Sequence, residues 1–270
     1  MELNKTVCYL GDDDVSRAAA YLCGIMTRCN IDFDRIDSPE KPSGNFQKQA
    51  YSLYVVSDYE SAKFNPGDME HICARVREDG AGLLMLGGWE SYYGRAYPEK
   101  KSSYDKSPLA DILPVVMESE DDRRNYSSPV LLRPTTNHEI IEGLPWETAP
   151  GVGGFNQFEA KEGAKVLLEG YRTQISWRDL SAAPNKPLNN DDVQLTLLEK
   201  RPFLVVDEAG KGRVAAFASD VAPHWIGGMV DWGTERVHVD MPRFGADVFI
   251  EVGAWYAQFF AQILKWTGRL

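Results

Sequence analysis

Leu53-Tyr54-Val55-Val56, closed by Ser57-Asp58, and Leu83-Leu84-Met85-Leu86, closed by Gly87-Gly88, bracket a segment with clear helical punctuation. Neither apolar run alternates with polar residues, as expected of strands covered on both faces. Between them Asn65 can cap a helix, Pro66 suits its first turn and Gly80 its exit. Met69, Ile72, Cys73 and Val76 fall at i, i+3, i+4 and i+7, so one face of that helix is apolar. Strand, helix, strand in this order implies a right-handed parallel crossover.

Working outward, residues 7–10 form a further short apolar run ending at Gly11, followed by Asp12, Asp13 and Asp14 where helix caps and first-turn acids belong. Val15, Ala18, Ala19, Leu22, Ile25, Met26 and Cys29 then recur at helical spacing. Residues 33–36 suit another strand, and 39–47 read as loop. Downstream, 97–111 and 181–192 are polar and loop-like, while 118–129 hold an acidic-basic run usual for a solvated face. Strands return at 165–168, 203–206 and 213–218, the last two joined by the glycine-rich hairpin signal at 208–212. Phe249, Val252, Tyr256, Phe259, Phe260, Ile263 and Trp266 share one helical face. The expectation is one α/β domain over residues 1–270: a doubly wound, mostly parallel sheet with helices on both faces and an antiparallel C-terminal extension.

Composition narrows the function. Of 270 residues, 43% are hydrophobic and 26% charged, an ordinary globular mix. Acids outnumber bases 40 to 29, a net charge of −11, so neither nucleic acid nor an anionic membrane is an expected partner. No run of about 18 apolar residues occurs, and the first residues lack the apolar stretch of a signal peptide. Cys8, Cys23, Cys29 and Cys73 lie in apolar periodic segments, where a thiol behaves as a small hydrophobe. A reduced, cytoplasmic setting fits.

Several segments together resemble the class I glutamine amidotransferase-like family. They are Leu84-Met85-Leu86-Gly87-Gly88-Trp89-Glu90-Ser91; the stretch from Asn137-His138-Glu139 through Gly143-Leu144-Pro145-Trp146; Gly154-Phe155-Asn156; and, most specific, the stretch from Gly210-Lys211-Gly212 through Ser219-Asp220-Val221-Ala222-Pro223-His224-Trp225. The resemblance covers nearly the whole chain and implies a flavodoxin-like fold. Active class I enzymes place a cysteine on a sharp strand-to-helix turn, Gly-x-Cys-x-Gly, that exposes the sulfur beside oxyanion-stabilising N–H groups. Here that turn begins Gly87-Gly88-Trp89, and no cysteine lies within ten residues. The family's histidine falls on His224, which is followed by Trp225 and Ile226 where the active pattern has a glutamate two residues on. Standard glutaminase chemistry is therefore not expected.

Other residues complete the candidate site. Gly87-Gly88 at a strand's carboxyl end suits either close approach of a ligand, including an oxyanion nest, or a tight turn. Asp220 and His224 follow an apolar strand at the expected crevice, with capping of the next turn the alternative for Asp220. Asp58 ends a neighbouring strand, and capping is its alternative too. Trp89, Tyr92 and Tyr93 either wall a pocket or pack beneath the loop after residue 97. Arg123 or Arg124 has the fork to hold a carboxylate. Asp220, His224, Asp231, His238 and Asp240 match no standard ligand spacing, so no metal is expected, nor any cofactor. His71, His138 and His238 read as structural or surface residues.

Three functions stay open. The first is a module without cysteine chemistry that binds a small polar molecule among Asp58, Gly87, Gly88, Trp89, Ser91, Arg123, Asp220, His224 and Trp225. The second is an amide or ester hydrolase in which His224, oriented by Asp220, activates Ser91 or a water, with the Gly88 and Trp89 N–H groups around the oxyanion. The third is a non-catalytic assembly protein, since the wide apolar C-terminal helix allows a homo-oligomer.

Overall fold

A computed structural model describes residues 4–94, 103–179, 181–187 and 189–270. The part of the expected 97–111 loop at 97–102, and Leu188 of the 181–192 loop, lie outside them. In chain order the elements begin β1 (Asn4–Gly11), α1 (Ala18–Arg28), β2 (Asp32–Asp37), β3 (Tyr51–Ser57), α2 (Asp68–Ala74) and β4 (Gly82–Leu86). Next come α3 (Pro108–Ile112), β5 (Val115–Met117), β6 (Arg123–Pro134), β7 (Val152–Asn156), β8 (Phe158–Ala160) and β9 (Lys165–Trp177). The chain ends with β10 (Val193–Ala209), β11 (Gly212–Phe217), α4 (Pro223–Ile226), β12 (Arg236–Asp240), β13 (Phe249–Gly253) and α5 (Ala254–Gly268).

Nine strands form one sheet in the order β2-β1-β3-β4-β11-β10-β9-β6-β7. The five strands from β2 to β11 pair in parallel. From β11 onward every pairing is antiparallel. Two further antiparallel ribbons, β5 with β8 and β12 with β13, stand apart. The mostly parallel sheet expected from the sequence is thus corrected to a mixed α/β sheet, parallel in one half and antiparallel in the other, with two antiparallel ribbons beside it. The reason is physical: β6, β7 and the outer parts of β9 and β10 carry polar or exposed residues, so they lack the apolar runs that betray buried parallel strands.

Helices cover both faces of the parallel half. On β3, Leu53 packs toward the end of α5, beside Gly82 and Gly268. Its neighbour Tyr54 points the other way, with its hydroxyl 3.5 Å from His71 Nε2 on α2. That alternation is the period-2 geometry of a strand sandwiched between helices. Two boundaries differ from expectation and one agrees. Asn65 does not cap α2; instead Asp68 Oδ2 accepts from the Asn65 backbone and side-chain amides. Gly80, at φ 84°, closes the helical segment as expected. Phe249 and Val252 lie on β13, not on the last helix, because Ile250 and Val252 are buried and Phe249 and Glu251 exposed in strand alternation.

Candidate functional site

The parallel strands bring their carboxyl ends to one edge of the sheet, where the turn after β4 begins. The Gly87 N–H donates to Ser219 O at 2.9 Å, and a Cβ on Gly87 would run into the carbonyl oxygen of Ala218. At Gly88, φ is 158°, and a Cβ would stand 2.8 Å from Cβ, Cγ and Oδ1 of Asp58. Asn156, wholly buried at the end of β7, locks this turn: its Oδ1 accepts the Gly88 N–H at 2.9 Å and its Nδ2 donates to Gly88 O at 3.1 Å. The expected oxyanion role of the Gly88 N–H is therefore corrected. A side-chain amide from the antiparallel half of the sheet already takes that donor, so the Gly87-Gly88 pair acts as a fixed tight turn.

The lock continues outward. Asn156 Nδ2 also donates to Asp122 Oδ1 at 2.7 Å, and Asp122 accepts the N–H groups of Tyr93 at 2.9 Å and Gly94 at 3.0 Å. Asp122 is wholly buried, which corrects the solvated face read for this acidic-basic run. Arg123, expected to bind the ligand, has its fork taken by the chain's own Asp121, at 2.9 and 2.6 Å. Its guanidinium also lies over the Trp89 ring, 4.8 Å from the centroid. Tyr92 is buried and spans β4 and β11 by donating to Met85 O and Phe217 O, so it packs and does not wall a pocket.

Asp58, in the left-handed region at φ 53°, ends β3 and accepts the Glu90 N–H at 2.6 Å through Oδ1. Its own N–H donates to Ser91 Oγ at 3.0 Å. Ser91 is wholly buried, and its hydroxyl serves this turn-to-strand contact. His224 instead addresses Asp220: Nε2 lies 3.1 Å from Oδ2. Asp220 Oδ1 accepts the N–H groups of Val221 and Ala222 at 2.5 and 3.2 Å, so this carboxylate both caps the turn into α4 and faces the imidazole. Trp225 donates from Nε1 to Asn125 Oδ1 at 2.8 Å and lies against Gly154, where a Cβ would overlap the indole.

These elements enclose a crevice of about 530 Å³ lined by Asp58, Trp89, Glu90, Asn125, His224 and Trp225. Four of the six were singled out from sequence. Glu90 and Asn125 were not, because each reaches the crevice through a partner distant in the chain, Asp58 or Trp225. Asp12, at the end of β1, is a further charge at this edge, read from sequence only as a helix-capping acid.

Burial is the chief cause of the unusual electrostatics here. It pushes the Asp12 carboxyl up to about 8, with the nearby charges of Asp220 and Asp58 adding to the effect. Burial likewise raises Asp58 to about 6, opposed by the N–H bond from Glu90. Asp220 holds the His224 imidazole above its ordinary value. Three of the four thiols are far from reactive: burial raises Cys23 to about 12 and Cys73 to about 11, and pushes Cys8 well above the ordinary thiol range. Among the described residues no group of three or more His, Cys, Asp or Glu side chains has the geometry to hold a metal ion. No helix among them is long and apolar enough to cross a membrane.

The fold is a mixed sheet with the candidate crevice at the carboxyl ends of its parallel strands. Residues 50–174 match the model of a family described as "Putative glutamine amidotransferase", so the class I amidotransferase-like resemblance holds over that stretch. It contains β3, β4, the Gly87-Gly88 turn and Asn156. Among solved structures the chain is similar to Cytoplasmic Protein STM1381 from Salmonella typhimurium LT2, at 22% identity and a TM-score of 0.68, covering 97% of this chain and 99% of that one. It is also similar to Cytoplasmic Protein STM3548 from Salmonella typhimurium, at 22% identity and a TM-score of 0.63, covering 97% of this chain and 98% of that one. At that identity the likeness is one of fold. No curated protein matches the sequence.

Proposed function

We propose that this protein is an amidotransferase-like module without glutaminase chemistry, which binds a small polar molecule in the crevice at the carboxyl ends of β1, β3, β4 and β11. One observation carries this reading. A crevice of about 530 Å³, within the usual range for ligand pockets, lies beside an elbow that has neither a thiol nor a free Gly87 or Gly88 N–H. The position a nucleophile would take in Gly-x-Cys-x-Gly, counted from Gly87, is occupied by Trp89. The parallel strand order β2-β1-β3-β4-β11 supports a flavodoxin-like reading of that half, and in such sheets ligands bind beyond the carboxyl ends of the strands. We take the chain as one such domain, cytoplasmic, without nucleic-acid or membrane partners, and able to form a homo-oligomer.

The test has two arms. Purified protein incubated with glutamine should release no glutamate above buffer, and a thermal-shift screen of amino acids, sugars, nucleotides and amines should yield a ligand whose effect changes with His224→Ala. Steady glutamate release would overturn the loss of catalysis; a ligand indifferent to His224→Ala would move binding away from this crevice.

A second reading, an amide or ester hydrolase, is favoured by one feature, the 3.1 Å contact of His224 with Asp220. The base would act on a water, since the Ser91 hydroxyl is buried against the Asp58 N–H. Hydrolysis of p-nitrophenyl acetate that disappears with His224→Ala but persists with Ser91→Ala would establish it.

A further inference from the structure

Three buried polar atoms without a hydrogen-bond partner lie at the carboxyl edge of the parallel strands, Tyr9 Oη, Ser57 Oγ and Asp12 Oδ2, beside Asp220, whose Oδ2 faces His224 Nε2 at 3.1 Å. Tyr9, Ser57 and Asp220 are each at most 1% exposed. The Tyr9 ring runs alongside Gly11 toward the strand end, and its hydroxyl is within electrostatic reach of both Asp12 and Asp220. Unmet polar groups of this kind call for a partner, because burying one unpaired forfeits its hydration with nothing in return.

The charge at this edge is one-sided. Asp12, Asp58 and Asp220 influence one another, Glu90 lines the crevice beside Asp58, and the His224 imidazole faces Asp220. Arg35 donates to the main-chain carbonyls of Asp12 and Asp13 but pairs its charge with Asp37 at 2.5 Å, and Arg123 is forked on Asp121. Two indoles, Trp89 and Trp225, complete the walls, a surface that suits the apolar stem and the charge of an organic cation. A neutral sugar would find stacking surfaces but would bring no charge to set against the carboxyl groups. An anion would be repelled by those that are ionised.

Resting on the crevice proposed above as the binding site, we infer that its ligand is a small organic amine, bound as the ammonium with its charge toward Asp12, Asp58 and Asp220 and its carbon chain against Trp225. The probe set is 1,4-diaminobutane and agmatine, with 1,4-butanediol, succinate, glucose and magnesium chloride as controls at constant ionic strength. Binding is read by thermal shift and isothermal titration on the full chain. The amines should raise the unfolding midpoint and the controls should not, and Asp12→Asn should weaken amine binding about tenfold or more. Asp58→Asn, which keeps an acceptor for the Glu90 N–H, serves as the second variant should the first fold poorly. Binding of the diol, succinate, glucose or magnesium in preference to the amines would overturn the ammonium assignment while leaving the crevice a ligand site. No binding by any probe, together with no hit in the broader screen, would overturn the crevice itself.

Discussion

Asn156 and Gly88, 68 positions apart, form a closed pair in which the side-chain amide both accepts the glycine N–H and donates to its carbonyl. The pair joins the antiparallel half of the sheet to the elbow of the parallel half. It occupies the main-chain donor that an amidotransferase would turn toward a reacting carbonyl. Asn156→Ala would remove both bonds and leave Gly88 and Asp122 short of a partner in a dry interior. A loss of about 2–4 kcal/mol follows, measurable as a lower urea midpoint with an unchanged slope. A loss under about 0.5 kcal/mol would mean that the elbow is not held this way.

The elbow's glycines should differ in tolerance. At Gly87 a methyl group meets the Ala218 main chain, which belongs to the edge of β11 and cannot swing aside. At Gly88 it meets the Asp58 side chain, which is held by the Glu90 N–H but is still a side chain. Gly87→Ala should therefore cost upwards of about 3 kcal/mol and Gly88→Ala less, as read by equilibrium unfolding of the two variants. The reverse order would show that Asp58, not the strand backbone, is the rigid wall.

The parallel half of the fold was legible because its strands are uninterrupted apolar runs and α2 carries its stripe at helical spacing. Arg123-Arg124-Asn125 concealed β6, since a strand that opens with two arginines and an amide looks like a solvated loop. Phe249 and Val252 misled differently: three residues apart suits a helix face, yet the buried pair is Ile250 and Val252, two apart. In the site, Asp58, Trp89, His224 and Trp225 could be found because each closely follows the end of an apolar strand. Asn156 and Asp122 act only through partners tens of positions away, and no spacing in the sequence encodes those contacts.

Thiol chemistry offers an independent check on the elbow. Cys8, Cys23 and Cys73 are buried with protonation held high, whereas Cys29 is partly exposed at the end of α1. Iodoacetamide at pH 7.5 should label Cys29 first, with the other three reacting only after denaturant is added, as followed by peptide mapping. Rapid labelling of Cys73 in the native protein would reveal a reactive thiol and reopen the question of glutaminase activity.

Stability should fall as pH rises from 7 to 8, and the sign follows from the raised groups. Asp12, lifted to about 8, keeps a proton in the folded state that the unfolded chain has already lost, so each further rise in pH favours unfolding. His224 acts in the same direction, because its stabilising protonated form is lost as pH climbs through its raised folded value. His71 and His138, lowered by burial, act in the opposite direction, but mainly at and below the ordinary histidine range, so this window largely avoids them. Exposed carboxylates lowered by local hydrogen bonds, such as Asp14 and Asp179, are ionised in both states here and contribute nothing. Each pH unit over which the native state holds one extra proton costs about 1.4 kcal/mol, or about 2–4 °C for a chain of this size. Melting curves at pH 7 and 8 should show a drop of that order in the parent protein, and Asp12→Asn should remove most of it while raising the midpoint at pH 8. A pH slope unchanged in Asp12→Asn would mean that the carboxyl at the end of β1 is already ionised at neutral pH.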